Sequence, residues 1–220
     1  RRVGMNTQPL KNNISSYIIQ THEDEIKRIA MELHEGVGQS LSSLFSGMQL
    51  IETAIEQPAM KIYAGDMKQL LEKAIQEIRL LAVELHPPTL TTFGLISAIK
   101  SYMKIYTSTY GIEVEMENLG IESQISDRDS ITLFRVCQEA LVNIARYADT
   151  TKASILFKWE KSMLLMMIKD SGKGFEVEAA MNKLSGLAAM CERMHLIGGN
   201  CTIFSKIGHG TSIEISLPLY

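Results

Sequence analysis

Between Ile26 and Ile55 the apolar residues fall at Ile26, Ile29, Leu33, Val37, Leu41, Leu44, Met48, Ile51 and Ile55. They advance 29 residues in eight steps, 3.6 per step, which is the period of an α-helix with one apolar face. At 1.5 Å per residue this predicts a rod of roughly 43 Å, longer than most globular helices. The steps between Leu33 and Leu41 depart from a strict heptad. Pro58 interrupts the pattern. A second stripe then runs through Ala59, Ile62, Met67, Leu70, Leu71, Ala74, Ile75, Ile78, Leu81, Ala82 and Leu85, until Pro87 and Pro88 stop it. Two long amphipathic helices joined by a short turn make a hairpin that cannot cover both of its own stripes. The expectation is a homodimer in which two hairpins form a four-helix bundle. Packing against the rest of the same chain is the alternative, and the length of the helices counts against it.

After Pro88 the character changes, and a domain boundary is predicted near residues 89–94. Leu95 to Ser108 reads as a helix, and Ile112 to Glu117 alternates with the period of a half-exposed strand. Ser126 or Asp127 can cap a helix running to about Ala148. Strand patterns follow at 152–159 and 162–169, then a glycine-bearing loop, a helix from about Leu187 to Leu196, and strands at 200–205 and 211–217. This order predicts an α+β sandwich with helices on one face of a sheet. The whole chain is read as multi-domain, a helical hairpin over 1–88 and an α/β sandwich over 89–220.

Composition narrows the function classes. With 22 Lys+Arg against 25 Asp+Glu, the net charge is −3, and the pI near 6.0 argues against a nucleic-acid binder, which normally concentrates basic charge. The longest purely apolar run, Met163 to Ile168, is far short of the roughly 20 residues a membrane-spanning helix needs. The three cysteines, Cys137, Cys191 and Cys201, lack C-x-x-C spacing and read as packing thiols in a reducing compartment. The chain starts with Arg1 rather than Met and is read as a fragment, with Arg1 and Arg2 as the edge of a possible juxtamembrane cluster. The 13 methionines, among them Met48 and Met67 on the stripes and Met163, Met166 and Met167 in a strand, read as adaptable packing.

Four motifs carry chemistry. Glu32-Leu33-His34-Glu35-Gly36-Val37-Gly38-Gln39 interrupts the first stripe with polar residues. His34 lies beside the apolar seam, so it is expected to be partly exposed, and Glu35 and Gln39, four apart, share a helix face. Two glycines each costing roughly 1 kcal/mol in a helix interior suggest close approach from outside, although a solvated histidine with incidental glycines explains the segment alone. Asp170-Ser171-Gly172-Lys173-Gly174-Phe175 follows a strand. An acidic side chain there can accept a hydrogen bond from a purine amino group while glycines let the backbone approach a ligand; an ordinary strand turn is the equal alternative. Glu139 and Asn143 share a helix face, with Arg146 one turn on; an Asn carbonyl backed by a Glu suits a hard cation such as Mg²⁺, although isolated polar residues at helical spacing are usually just a wet face. Ser185-Gly186 before a helix and Gly208-His209-Gly210-Thr211 before the last strand offer backbone amides to phosphate, although alone a plain hairpin turn is the stronger reading.

Taken in order, these motifs closely resemble those of sensor histidine kinases of two-component signalling, over residues 20 to 218. The resemblance extends to the nitrate/nitrite-sensor-like subgroup, whose dimerisation helix carries H-[D/E]-x-x-x-Q, here His34-Glu35 to Gln39, and whose linker signature is visible in Leu85-His86-Pro87-Pro88-Thr89-Leu90 and Gly94-Leu95.

The resemblance implies a role for each matching position. His34 would be the phosphoacceptor nucleophile attacking the γ-phosphorus of ATP. Glu35 would act as base or orienter, and Gln39 would position water for dephosphorylation of the partner. Asn143, assisted by Glu139, would hold Mg²⁺, and Asp170 would read adenine. Gly172 and Gly174 would form the base of the nucleotide loop, while Gly186, Gly208, Gly210 and Thr211 shape the phosphate side; residues 176–185 would form a short lid. The implied partner is a response regulator receiver domain, and the implied location is the cytoplasmic portion of a membrane-anchored parent. Tyr147 stands where the family commonly has histidine, Ala189 where it has a second glycine, and Glu35 where Asp is more frequent. Two further readings stay open: a catalytically weakened dimeric scaffold that binds and regulates a response regulator, and an ATPase of the same nucleotide fold.

Overall fold

The computed structural model of the chain describes residues 8–181 and 186–219. Arg1, Arg2, Ser185 and the rest of the expected lid from 182 onward lie outside the described residues. The chain divides between Pro88 and Thr89 into two compact units.

The first unit is helical. α1 (Gln8–Met31) passes into a π turn, Glu32–Val37, and then α2 (Gly38–Ala54). After a short turn α3 (Pro58–Leu85) runs back. Pro58 does not merely interrupt the chain; it occupies the first turn of α3, where its fixed φ and missing N–H are tolerated. α1, the π turn and α2 all pack along α3. Lys68 Nζ and Glu52 Oε2, 2.5 Å apart, bridge α2 to α3. The long stripe divides into two rows. Ile26, Leu33, Leu41, Met48 and Ile55 are half-buried, whereas Ile29, Val37, Leu44 and Ile51 are exposed, Leu44 by 60% and Ile51 by 54%. On α3, Tyr63 and Leu70 are likewise exposed.

The second unit opens with α4 (Pro88–Tyr110), broken at Gly94, whose φ of 78° only glycine adopts readily. The expected helix from Leu95 is therefore the longer arm of a bent element, and Pro88 begins it where the sequence suggested only a stop. Strand β1 (Glu113–Leu119) leads to α5 (Asp127–Asn143), a second π turn, Ile144–Ala148, and β2 (Lys152–Trp159). Ser126 caps α5 by accepting the Asp129 N–H at 3.0 Å. β3 (Met163–Asp170), α6 (Val177–Met181), α7 (Gly186–Leu196), β4 (Asn200–Ser205) and β5 (Thr211–Pro218) complete it. The sheet order is β1-β2-β3-β5-β4. β1 pairs parallel with β2 across α5, and the other pairs are antiparallel.

Alternation puts one sheet face in the core. Ile155, Phe157, Leu164, Met166, Ile168, Ile213 and Ile215 are buried with Leu133, Phe134, Cys137 and Leu141 of α5, Leu95 and Ile99 of α4, and Met190 and Met194 of α7. Two polar groups of large buried side chains find partners: the Tyr106 hydroxyl donates to the Leu141 carbonyl at 2.9 Å, and Trp159 Nε1 donates to Asn118 Oδ1 at 2.8 Å, tying β2 to β1. Among the described residues no helix is long and apolar enough to cross a membrane.

Candidate functional site

His34 lies inside the π turn and is exposed, as are Glu35 and Gln39. The turn is underwound: Gly38 donates its N–H to the Leu33 carbonyl, five residues back. Glu35 stands inside that turn and Gln39 in the α-helix beyond it, so their spacing of four crosses a change of winding. Serines tie down the carbonyls that follow. Ser40 Oγ donates to the Gly36 carbonyl at 3.0 Å and Ser42 Oγ to the Gly38 carbonyl at 2.8 Å. The two glycines differ in purpose. At Gly38 a Cβ would stand 3.3 Å from the Leu33 carbonyl oxygen, a tight fit set by the turn itself, whereas at Gly36 it would meet open space. Only Gly36 retains the reading of a surface left clear for something approaching from outside.

In the second unit, Glu139 and Asn143 meet directly: Asn143 Nδ2 donates to Glu139 Oε1 at 3.2 Å, and both are half-buried. Gly186, the first residue of α7, is pressed against the same carboxylate, and a Cβ there would overlap Glu139 Oε1. The amide nitrogen is turned to the carboxylate, which leaves the Asn143 carbonyl oxygen pointing elsewhere. One amide oxygen and one carboxylate are hard donors, too few to cage a cation, and among the described residues no group of three or more acidic, histidine or cysteine side chains could do so. That donor set fits an ion such as Mg²⁺, which takes its remaining ligands from phosphate and water.

Beyond Asn143 the helix end meets the loop after β3. Gly172 is buried, and a Cβ on it would overlap the Ala148 carbonyl oxygen, which accepts the Lys173 N–H at 2.8 Å. Asp170 Oδ1 accepts the Gly172 N–H at 2.8 Å, and Asp170 also accepts from the Thr211 hydroxyl and N–H. Burial pushes the Asp170 carboxyl above its ordinary value, and those three hydrogen bonds oppose the shift. Ser205 Oγ continues the network, donating to the Gly210 carbonyl at 2.9 Å, lying 3.1 Å from Thr211 Oγ1 and accepting the Phe175 N–H at 2.9 Å. Gly174 and Gly210 have φ of 61° and 74° and sit where a Cβ would overlap the Lys206 and Asp170 carbonyl oxygens respectively. Gly208, φ 81°, faces open space and donates its N–H to the Lys173 carbonyl at 2.7 Å, joining the two glycine loops. Arg146 is exposed on the π turn with Tyr147. On the sheet face away from the helices, Lys169, Phe204 and Ser212 share a register row and, with Lys206 and His209, line a cavity of about 350 Å³ that also reaches Asp170, Ser205, Gly210 and Thr211.

Two family profiles match this chain. One, described as histidine kinase, covers residues 25–90 and so includes His34. The other, described as histidine kinase-, DNA gyrase B- and HSP90-like ATPase, covers residues 128–220 and includes the cluster from Glu139 to Thr211. This chain belongs to the histidine kinases. The signal transduction histidine-protein kinase/phosphatase DegS of Brevibacillus brevis is 29% identical over 207 residues, 92% of this chain and 53% of that protein. The oxygen sensor histidine kinase NreB of Staphylococcus carnosus is 28% identical over 202 residues, 91% of this chain and 58% of that protein. The kinase chain thus spans a little over half the length of these relatives. A blue-light activated histidine kinase from Erythrobacter litoralis EL346 shares its fold, with a TM-score of 0.50, 12% identity, and 81% of this chain and 60% of that one covered.

Within the kinase chain the structure brings Glu139, Asn143 and Gly186 together, and separately gathers Asp170, Gly172, Gly174, Gly210 and Thr211. His34, Glu35 and Gln39 form their own exposed group in the other unit. Sequence reasoning missed Ser205, although its place opposite Thr211 in the β4–β5 register is what the G-x-G-T turn dictates. It also missed the π turn, although the break from strict heptads between Leu33 and Leu41 is where the underwinding occurs.

Proposed function

We propose that this chain is the catalytic core of a two-component sensor kinase that transfers the γ-phosphoryl group of ATP to His34 and then to an aspartate of a response-regulator receiver domain. The carrying observation is that one chain holds an exposed histidine on a locally underwound helix and, in its other unit, an acidic–amide pair beside glycine-forced close approaches. The ring nitrogen of His34 forms the N–P bond as the bond from the γ-phosphorus to the bridging oxygen breaks, and ADP leaves with that oxygen. Glu35, adjacent and exposed, takes or orients the ring proton. Asp170 accepts the adenine amino group, while Gly172 and Gly174 keep side chains out of the space the nucleotide enters. Asn143 and Glu139 would hold Mg²⁺, which supplies charge neutralisation on the phosphates. Gln39 orients water for the opposing phosphatase reaction, in which water attacks the phosphorus of the regulator's aspartyl phosphate and releases inorganic phosphate with the free carboxylate.

The active form in this reading is a homodimer. The exposed row of Leu44, Ile51 and Leu70 is apolar surface of the kind that a second hairpin covers in a four-helix bundle. ATP as donor and three free thiols favour the cytoplasm as the place of reaction.

Incubation with radiolabelled ATP and Mg²⁺ tests the proposal. Wild type should acquire acid-labile label, His34→Gln none, and Asn143→Ala at least tenfold less, since the metal and phosphate position is lost. No label on wild type, or equal label on His34→Gln, overturns it. Phosphate release without phosphohistidine would point to the plain ATPase.

A further inference from the structure

Two of the three thiols are neighbours. Cys201 stands on β4 opposite Ile215, whose side chain is buried on the helix-covered face, so Cys201 points toward the helices. Cys191 lies on α7, which packs on β4. The Cys191 thiol reaches the Cys201 carbonyl oxygen, Sγ to O 3.7 Å, and the two thiols are in hydrogen-bonding contact with each other. Both are half-buried, whereas Cys137 is fully enclosed in α5. The link between them is short and stiff: Gly198 and Gly199 donate to the His195 and Met194 carbonyls at 3.0 and 2.9 Å, so the chain turns from helix to strand with the two cysteines held side by side.

We propose that Cys191 and Cys201 are a modification site, a dithiol that closes to a reversible intramolecular disulfide on exchange with a low-molecular-weight disulfide. In the first step the Cys191 thiolate attacks one sulfur of the disulfide R–S–S–R, expelling one RS⁻ and forming a mixed disulfide. In the second the Cys201 thiolate attacks Cys191 Sγ and expels the other RS⁻. The two protein thiols give up two protons and two electrons, and the reagent is reduced to two RSH. The order follows from the surroundings: burial, reinforced by the neighbouring Cys191, raises the Cys201 thiol, so it serves as the resolving group within reach of an already oxidised partner. The bond would fasten α7, whose first residue rests on Glu139, to the edge strand of the sheet.

The test uses the full chain, folded, with an excess of oxidised glutathione, followed by alkylation and peptide mass spectrometry. Expected is a species lighter by two hydrogens, with the peptides of Cys191 and Cys201 joined, restored by dithiothreitol. Loss of these two thiols should run at least roughly tenfold faster than loss of the enclosed Cys137 thiol. Cys201→Ser should stop at the mixed disulfide on Cys191, and Cys191→Ser should lose the cross-link. Stable glutathione adducts on both cysteines of the wild type, no oxidation of either, or a cross-link involving Cys137 would each overturn the proposal. Because the readout is mass and not kinase activity, failure here leaves the labelling experiment on His34 unaffected.

Discussion

The two units solve the problem of an apolar face in opposite ways. The sheet unit closes its core within the chain: Phe134 and Phe157 are 0% exposed and Leu164 and Ile168 1%. The hairpin leaves Leu44, Ile51, Tyr63 and Leu70 in the open while burying little beyond Ala64, Ile75 and Ala82 on α3. The closest glycine contacts follow the same contrast: a Cβ at Gly172, Gly174 or Gly210 in the sheet unit would overlap backbone, whereas in the hairpin the tightest, at Gly38, would stand 3.3 Å from the Leu33 carbonyl oxygen. Self-sufficiency in one unit and incompleteness in the other follow from periodicity. A strand alternating over a helix can bury every second residue, but a helical stripe wider than one neighbour must wait for another.

Substitution should break this contrast in a graded order. Phe134→Ala removes a ring that packs edge-on against Tyr102, centroids 5.7 Å apart at 73°, and should cost about 3–5 kcal/mol. Urea unfolding of the sheet unit would show it, independent of protein concentration. Leu70→Asp lies on the open row and should leave the helix content of the hairpin unchanged, yet weaken self-association by about 1.5–3 kcal/mol per copy. Sedimentation velocity across a dilution series reads that loss. If Leu70→Asp instead lowers stability equally at every concentration, or leaves self-association intact, the open row is not a pairing surface and the comparison fails.

Much of the fold is legible from the sequence because its signals are local. The strands at 152–159 and 200–205 announce themselves by alternation and flanking turns, and Ser126 by its capping chemistry. The bent α4 was not legible in full, since Pro88 reads equally as the end of one helix and the first turn of the next. Asp170, Gly172, Gly210 and Thr211 could be named as a set, yet the atoms that bind them, the Ala148 carbonyl and the Ser205 hydroxyl, come from segments distant in sequence. Both π turns escaped for a related reason. An extra residue in a helical turn shifts the apolar phase only slightly, and at Ile144–Ala148 there is too little helix beyond it for the shift to register. One includes His34 and the other directly follows Asn143, two of the candidate residues named from the sequence.

The smallest expected effect concerns Asp170, a half-buried carboxyl of the closed unit. Burial is the leading influence on this carboxyl and raises it above the ordinary 3.8, against the Gly172 N–H and the Thr211 hydroxyl and N–H. A carboxyl raised in the folded state holds its proton where the unfolded chain has already released one. Its contribution to stability is therefore complete below the ordinary value and is lost as pH rises through the raised one. Asp170→Asn keeps an oxygen for the Gly172 N–H but cannot ionise. The stability of wild type relative to Asp170→Asn should accordingly decline from acid toward neutral pH, as read by urea midpoints at matched ionic strength. Thr211→Val, which removes one donor to the ionised form, should steepen that decline. A relative stability that rises with pH would mean that the hydrogen bonds outweigh burial, and that the carboxylate is held in the fold as an anion at little cost before any nucleotide arrives.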